Sequence, residues 1–107
     1  MVEVKENKKF NINKINKVYQ TSGVQKAIEA CQAELLNDPT NPQLHVRLGD
    51  LYMEWHLDIS QAKSYIDEAI TEYQRALESY LDLPEIYQKI GVALYHKNEI
   101  EKAINYF

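Results

Sequence analysis

Two stretches of the chain, PQLHVRLGDLY at 42–52 and PEIYQKIGVAL at 84–94, align without a gap, and no other feature limits the fold as much. Pro42 recurs as Pro84 and Gly49 as Gly91, with Leu44 opposite Ile86, Arg47 opposite Lys89 and Leu48 opposite Ile90. A second block occurs three times: Val24, Ala27, Ile28 and Cys31; Ile66, Ala69, Ile70 and Tyr73; Ile100, Ala103, Ile104 and Phe107. Its i, i+3, i+4, i+7 spacing is one face of an α-helix, and its Ala lets a neighbouring helix approach closely. Pro42 and Pro84 suit the first turn of the partner helix, where a missing N–H is no loss. A glycine inside a helix costs about 1 kcal/mol relative to Ala, so Gly49 and Gly91 in register predict a close approach that leaves no room for a Cβ. The repeating unit is therefore a helical hairpin.

Composition supports helices over strands. Only three Gly and three Pro occur in 107 residues, against averages of roughly 7% and 5%, which leaves few turn residues for a many-stranded fold. With 45% hydrophobic and 26% charged residues, the chain has the make-up of one folded domain. No apolar run reaches the roughly 18 residues of a membrane span, and the first twenty residues lack a signal-peptide core. The net charge of −4 argues against nucleic acid as the partner of the whole chain. It is unevenly placed: residues 1–26 hold six Lys (Lys5, Lys8, Lys9, Lys14, Lys17, Lys26) and two Glu, and the remainder is acidic. Such a short basic cluster reads as a solvated helix face or terminus. Cys31 is the only cysteine, so no intramolecular disulfide and no Cys-based metal site is available, and a reducing, cytoplasmic setting is expected.

These residues resemble the tetratricopeptide repeat, a helix-turn-helix unit of about 34 residues with Leu-Gly, an aromatic, Ala, an aromatic, Ala and Pro at fixed offsets. The middle unit carries Leu48-Gly49, Tyr52, Ala69, Tyr73 and Ala76, with His45 where the family usually has Trp. The last carries Tyr87, Ile90-Gly91, Ala103 and Phe107, with Leu94 in place of the aromatic after Gly. The first retains Ala27 and Pro39, with Ile15 at the Gly position. The resemblance implies an all-α superhelix of antiparallel hairpins: a polar arm at 1–7, then units at about 8–41, 42–83 and an incomplete 84–107. Two and a half units are near the minimum of three for a stable stack, and Phe107 falls midway through a helix, so the expectation is part of a longer array.

Val24 to Ile66 spans 42 residues, as does Pro42 to Pro84, whereas Ile66 to Ile100 spans 34. The eight extra residues fall near 53–63. Leu51, Tyr52, Trp55 and Ile59 continue the apolar face of one helix, and Ala62 and Tyr65 extend the next backwards, with Asp58 and Gln61, or Ser60, as its cap. Shared between two helices, the insertion adds about one turn to each, ~6 Å of projection. Trp55, His56 and Ile59 stand at that tip, either as binding anchors or packed on Tyr65 and Ala62 to hold it together.

No catalytic constellation is present in the sequence. His45, His56 and His96 lie far apart and form no metal-binding pair, and three isolated glycines cannot make a phosphate loop. No enzyme activity and no cofactor are expected. His45 reads as a packing residue, His56 and His96 as solvent-facing, and Cys31 as a small buried hydrophobe. Tyr52, Tyr73 and Tyr87 hold core positions by register.

By the resemblance, function is protein interaction: a peptide or partner helix lies in the concave groove lined by the first helix of each unit. The groove positions carried over are Ile12, Asn16 and Tyr19; Gln43, Val46, Asp50 and Met53, with Arg47 beside them; and Glu85, Gln88, Lys89, Val92 and Tyr95. For Tyr19 and Tyr95, groove exposure and burial are equally open. Chaperone-binding members of the family clamp a peptide C-terminal carboxylate with Lys, Asn and Arg residues. Here only Asn16 and Lys89 fit, with Ile12, Arg47 and Glu85 at the other places, so no such clamp is expected, although Arg47 and Lys89 suit an acidic peptide. Two alternatives stand beside this: a self-associating segment that forms homo-oligomers, and a docking module of a larger multidomain enzyme.

Overall fold

The structure, a computed structural model, describes residues 3–57, 64–78, 84–97 and 106, with side chains from Ile12 onward and Leu57 excepted. Five helices make up the described residues: α1 (Glu3–Ser22), α2 (Val24–Asn37), α3 (Pro42–Leu57), α4 (Ile66–Glu78) and α5 (Pro84–His96). The fold is all-α. Each helix packs on its neighbour in the chain, and α1 also touches α3. The shortest dimension of the molecule is 18 Å, about the width of two helices side by side. None of the described helices is long and apolar enough to cross a membrane.

Local chemistry explains the helix boundaries. Gly23 alone joins α1 to α2, at φ +89°, a left-handed conformation that costs glycine little and strains other residues. Its N–H donates to the Tyr19 carbonyl and its own carbonyl accepts from Ala27, so one residue closes the first helix and opens the second. Asn41 starts α3. It is buried, its Oδ1 accepts the N–H groups of Gln43 (3.0 Å) and Leu44 (3.4 Å), and its amide donates to Asp38 Oδ2 (2.9 Å). Asn as cap followed by Pro42 in the first turn is a strong start signal. Pro84 likewise stands at the first position of α5.

The α4 boundary differs from expectation. Ser64 and Tyr65 are not helical, and α4 begins at Ile66. The reason is a local cap: Ser64 Oγ accepts the Ile66 N–H (3.4 Å), and the Tyr65 carbonyl accepts from Ala69 (3.0 Å). The expected backward extension therefore does not include Tyr65, while Asp58, Ile59, Ser60, Gln61 and Ala62 lie outside the described residues. Within the stretch expected as a polar arm, residues 3–7 form the start of α1.

The core has two parts that meet on α3. Ile15, Ala27, Ile28, Cys31, Leu44, Leu48 and Leu51 join α1, α2 and α3. Ala69, Tyr73, Ala76, Ile86, Ile90 and Leu94 join α4 and α5, with Val46, Tyr52 and Met53 of α3 packed against them. Each fully buried Leu or Ile contributes roughly 1.5–3 kcal/mol. Gly49 is buried under the ring of Tyr73: a Cβ there would stand 2.5 Å from Tyr73 Cε1. The close approach is real, and it is made by a side-chain ring reaching across from α4.

Candidate functional site

One groove gathers residues from alternate helices. Ile12 of α1, Gln43, Val46, Arg47 and Asp50 of α3, and Glu85, Ile86 and Lys89 of α5 line a cavity of about 540 Å³. The helices α2 and α4 contribute nothing to its wall. Of the groove positions expected from register, Ile12, Gln43, Val46, Asp50, Glu85 and Lys89 line this cavity, as does Arg47 beside them. Asn16, Tyr19, Met53, Gln88, Val92 and Tyr95 do not. Met53 packs into the second core, whereas Val92 and Tyr95 stand exposed on α5, Tyr95 at 57%. Ile86, buried among the core residues of α5, also forms part of the wall. Sequence reading paired it with Leu44 and did not place it at the groove, because a buried residue at a groove floor looks like any other apolar residue in a sequence.

The charges in the groove are arranged unequally. Asp50 accepts from Lys89 Nζ on both carboxylate oxygens (3.0 and 3.2 Å) and from the Tyr73 hydroxyl on Oδ1 (2.6 Å). One carboxylate thus ties α3 to α4 and α5 together. Burial raises the Tyr73 phenol pKa, and the adjacent Asp50 carboxylate raises it further. Asp50 and Lys89, both expected in the groove, are brought together there as an ion pair.

Arg47 is placed differently. Its guanidinium lies 5.6 Å from the centre of the Tyr19 ring, a cation–π contact, and its buried Nε has no hydrogen-bond acceptor. Among the described residues no carboxylate pairs with it. Tyr19 is half-buried, and the negative charge of the nearby Glu54 carboxylate raises its phenol pKa.

Behind the groove, His45 is buried and polar in its contacts, which corrects the reading of a packing residue alone. Nε2 faces the Pro39 carbonyl (2.7 Å) and Nδ1 faces Glu72 Oε1 (2.7 Å), while Arg75 Nη1 donates to Glu72 Oε2 (2.8 Å). A carbonyl and a carboxylate both accept, so both contacts are donated hydrogen bonds when the ring carries both protons. Glu72 was missed by sequence reading. The signal was available, since position 72 falls between Ala69 and Ala76 on the buried face of α4, where a charge needs a partner.

At the far end of α3, Trp55 is half-buried and stacks on Tyr65 with ring centres 4.1 Å apart and planes 6° apart. His56 is also half-buried, not solvent-facing as expected: Ser64 Oγ lies 3.3 Å from its Nδ1, and the His96 ring meets its edge at 6.2 Å. Tyr87, expected in the core, is 38% exposed, with the Tyr106 ring 6.4 Å away. It occupies the repeat position of His45, which α4 covers through Glu72. Cys31 is fully buried, its thiol directed at the Leu44 carbonyl (3.3 Å), and burial pushes its pKa up to about 12. Among the described residues no three His, Cys, Asp or Glu side chains are grouped to hold a metal. No protein-family model matches this chain, and the search of curated proteins finds no match to it.

Proposed function

We propose that the chain is a protein-interaction module of tetratricopeptide type, which receives an extended peptide or a partner helix in the groove between α1, α3 and α5 and performs no catalysis. The observation that carries this reading is the composition of the groove wall: among the described residues every lining residue comes from alternate helices, and the wall mixes apolar Ile12, Val46 and Ile86 with polar Gln43 and charged Arg47. The repeat register supports it, because the hairpin motif places those helices on one face of a superhelix. A cytoplasmic setting belongs to the same proposal and rests on the lone buried thiol of Cys31.

The test is selection of displayed random peptides on the immobilised chain, repeated with Val46→Asp in the groove and Leu36→Asp on α2. Leu36 is 84% exposed and lies outside the groove wall. The expected result is loss of binding by more than about tenfold for Val46→Asp and none for Leu36→Asp. Unchanged binding to the Val46 variant would move the site elsewhere.

Self-association is a second reading, favoured by Val92 and Tyr95, which expose apolar surface on α5. Light scattering over a range of concentrations decides it, and a strict monomer at the highest concentration removes it.

A further inference from the structure

The groove holds two cations of unlike availability, and this difference specifies the occupant. Lys89 is engaged by both oxygens of Asp50. Arg47 meets no carboxylate among the described residues, and its Nε is cut off from water with no acceptor supplied by the protein. A guanidinium presents a rigid fork of donors that matches a carboxylate in two parallel hydrogen bonds. In this fold the fork is also positioned in advance. The Tyr19 ring lies beneath it, 5.6 Å from the guanidinium carbon. Apolar Ile12 and Val46 line the same cavity.

Resting on the groove reading above, we infer that the occupant is an extended peptide segment carrying one internal Glu or Asp, whose carboxylate is received by Arg47 while apolar neighbours lie on Ile12 and Val46. The anions of the groove limit the charge to one. Asp50 and Glu85 share the wall with Arg47, so a second carboxylate or a doubly charged phosphate would meet repulsion there.

The experiment uses the intact chain and two arrays of short random-sequence peptides, identical except for a fixed central Glu in one and a fixed central Gln in the other. All peptides carry amidated C-termini, and a third array repeats the Gln series with free C-terminal carboxylates. The expected result is a preference of roughly tenfold for the Glu array, the equivalent of about one charge-assisted hydrogen bond. Arg47→Gln abolishes the preference, and Arg47→Lys, which keeps the charge and loses the fork, retains only part of it. Circular dichroism of both variants establishes that they are folded, and Arg47→Lys serves if Arg47→Gln is not. Equal binding of the Glu and Gln arrays, or a preference that persists in Arg47→Gln, would overturn the inference while leaving the groove as the binding site. A gain confined to the free C-termini would overturn it in favour of terminal recognition. Failure of every array to bind would overturn the groove reading itself.

Discussion

The ring of Tyr73 occupies the space that any side chain at position 49 would need, with Cε1 2.5 Å from the place of a Cβ on Gly49. The ring has little freedom to yield, since it is 2% exposed and its hydroxyl is fixed on Asp50 at 2.6 Å. Gly49→Ala gains about 1 kcal/mol of helix propensity and loses about 1–3 kcal/mol to overpacking. The expected outcome is net destabilisation in urea denaturation. In a Tyr73→Leu background the same change becomes neutral or stabilising, because the obstruction is gone. A Gly49→Ala variant as stable as the parent chain would show that the ring moves aside freely.

Asp50 matters more to stability than Lys89, although they share an ion pair. The pair is partly exposed on both sides, and such pairs contribute about 0–1 kcal/mol. Removing the carboxylate also strands the Tyr73 hydroxyl in the core, which costs about 1–3 kcal/mol. Asp50→Ala should therefore lower the unfolding free energy well beyond Lys89→Ala, as measured by chemical denaturation of each. Equal losses would mean that the Tyr73 bond contributes nothing.

Alkali should destabilise the fold from about pH 9 upward. The Cys31 thiol has an ordinary pKa of 9.0 and is pushed up to about 12 by burial. Below pH 9 both folded and unfolded chains keep the proton, and this thiol leaves stability unchanged. Between pH 9 and 12 the unfolded chain releases it and the folded chain does not, so stability falls by up to roughly 1.4 kcal/mol per pH unit. The raised phenols of Tyr73 and Tyr52 add to the fall above their ordinary value of 10.0. Cys31→Ala is less stable at neutral pH, because it leaves a small cavity, but its stability curve should decline less steeply between pH 9 and 10. A decline parallel to that of the parent chain would dismiss the thiol as the cause.

The repeat makes the helices legible because it depends on spacing within a single helix. Pro42 and Pro84 stand at the starts of α3 and α5, and Val46, Arg47, Asp50 and Lys89 reach one groove from positions that register alone placed on one face. Contacts between helices follow a different logic. That Asp50 binds Lys89, or that Arg47 stacks on Tyr19, depends on how far α3 is rotated and shifted against α5 and α1, and no periodicity within a helix encodes that offset. Caps fall between the two. Asn41 before Pro42 was readable as a start signal, whereas Ser64 was obscured by the apolar spacing of Tyr65 and Ile66, which suggested a helix already under way.

His45 provides the sharpest separation of packing from polar bonding. An aromatic at this position matches the repeat pattern, yet here the ring joins the Pro39 carbonyl to the buried Glu72 carboxylate. His45→Phe keeps the bulk and removes both bonds, so the buried Glu72 carboxylate loses its imidazole partner and keeps its bond from Arg75. The expected cost is about 1–3 kcal/mol or more, the charged acceptor placing it toward the upper end. Pairing the change with Glu72→Leu removes the stranded charge and should recover most of the loss, since a matched apolar pair of similar shape can replace a buried polar one. Urea denaturation of both single variants and the double variant forms a complete cycle. A coupling energy near zero would show that the imidazole contributes only its volume, as the repeat pattern alone implies.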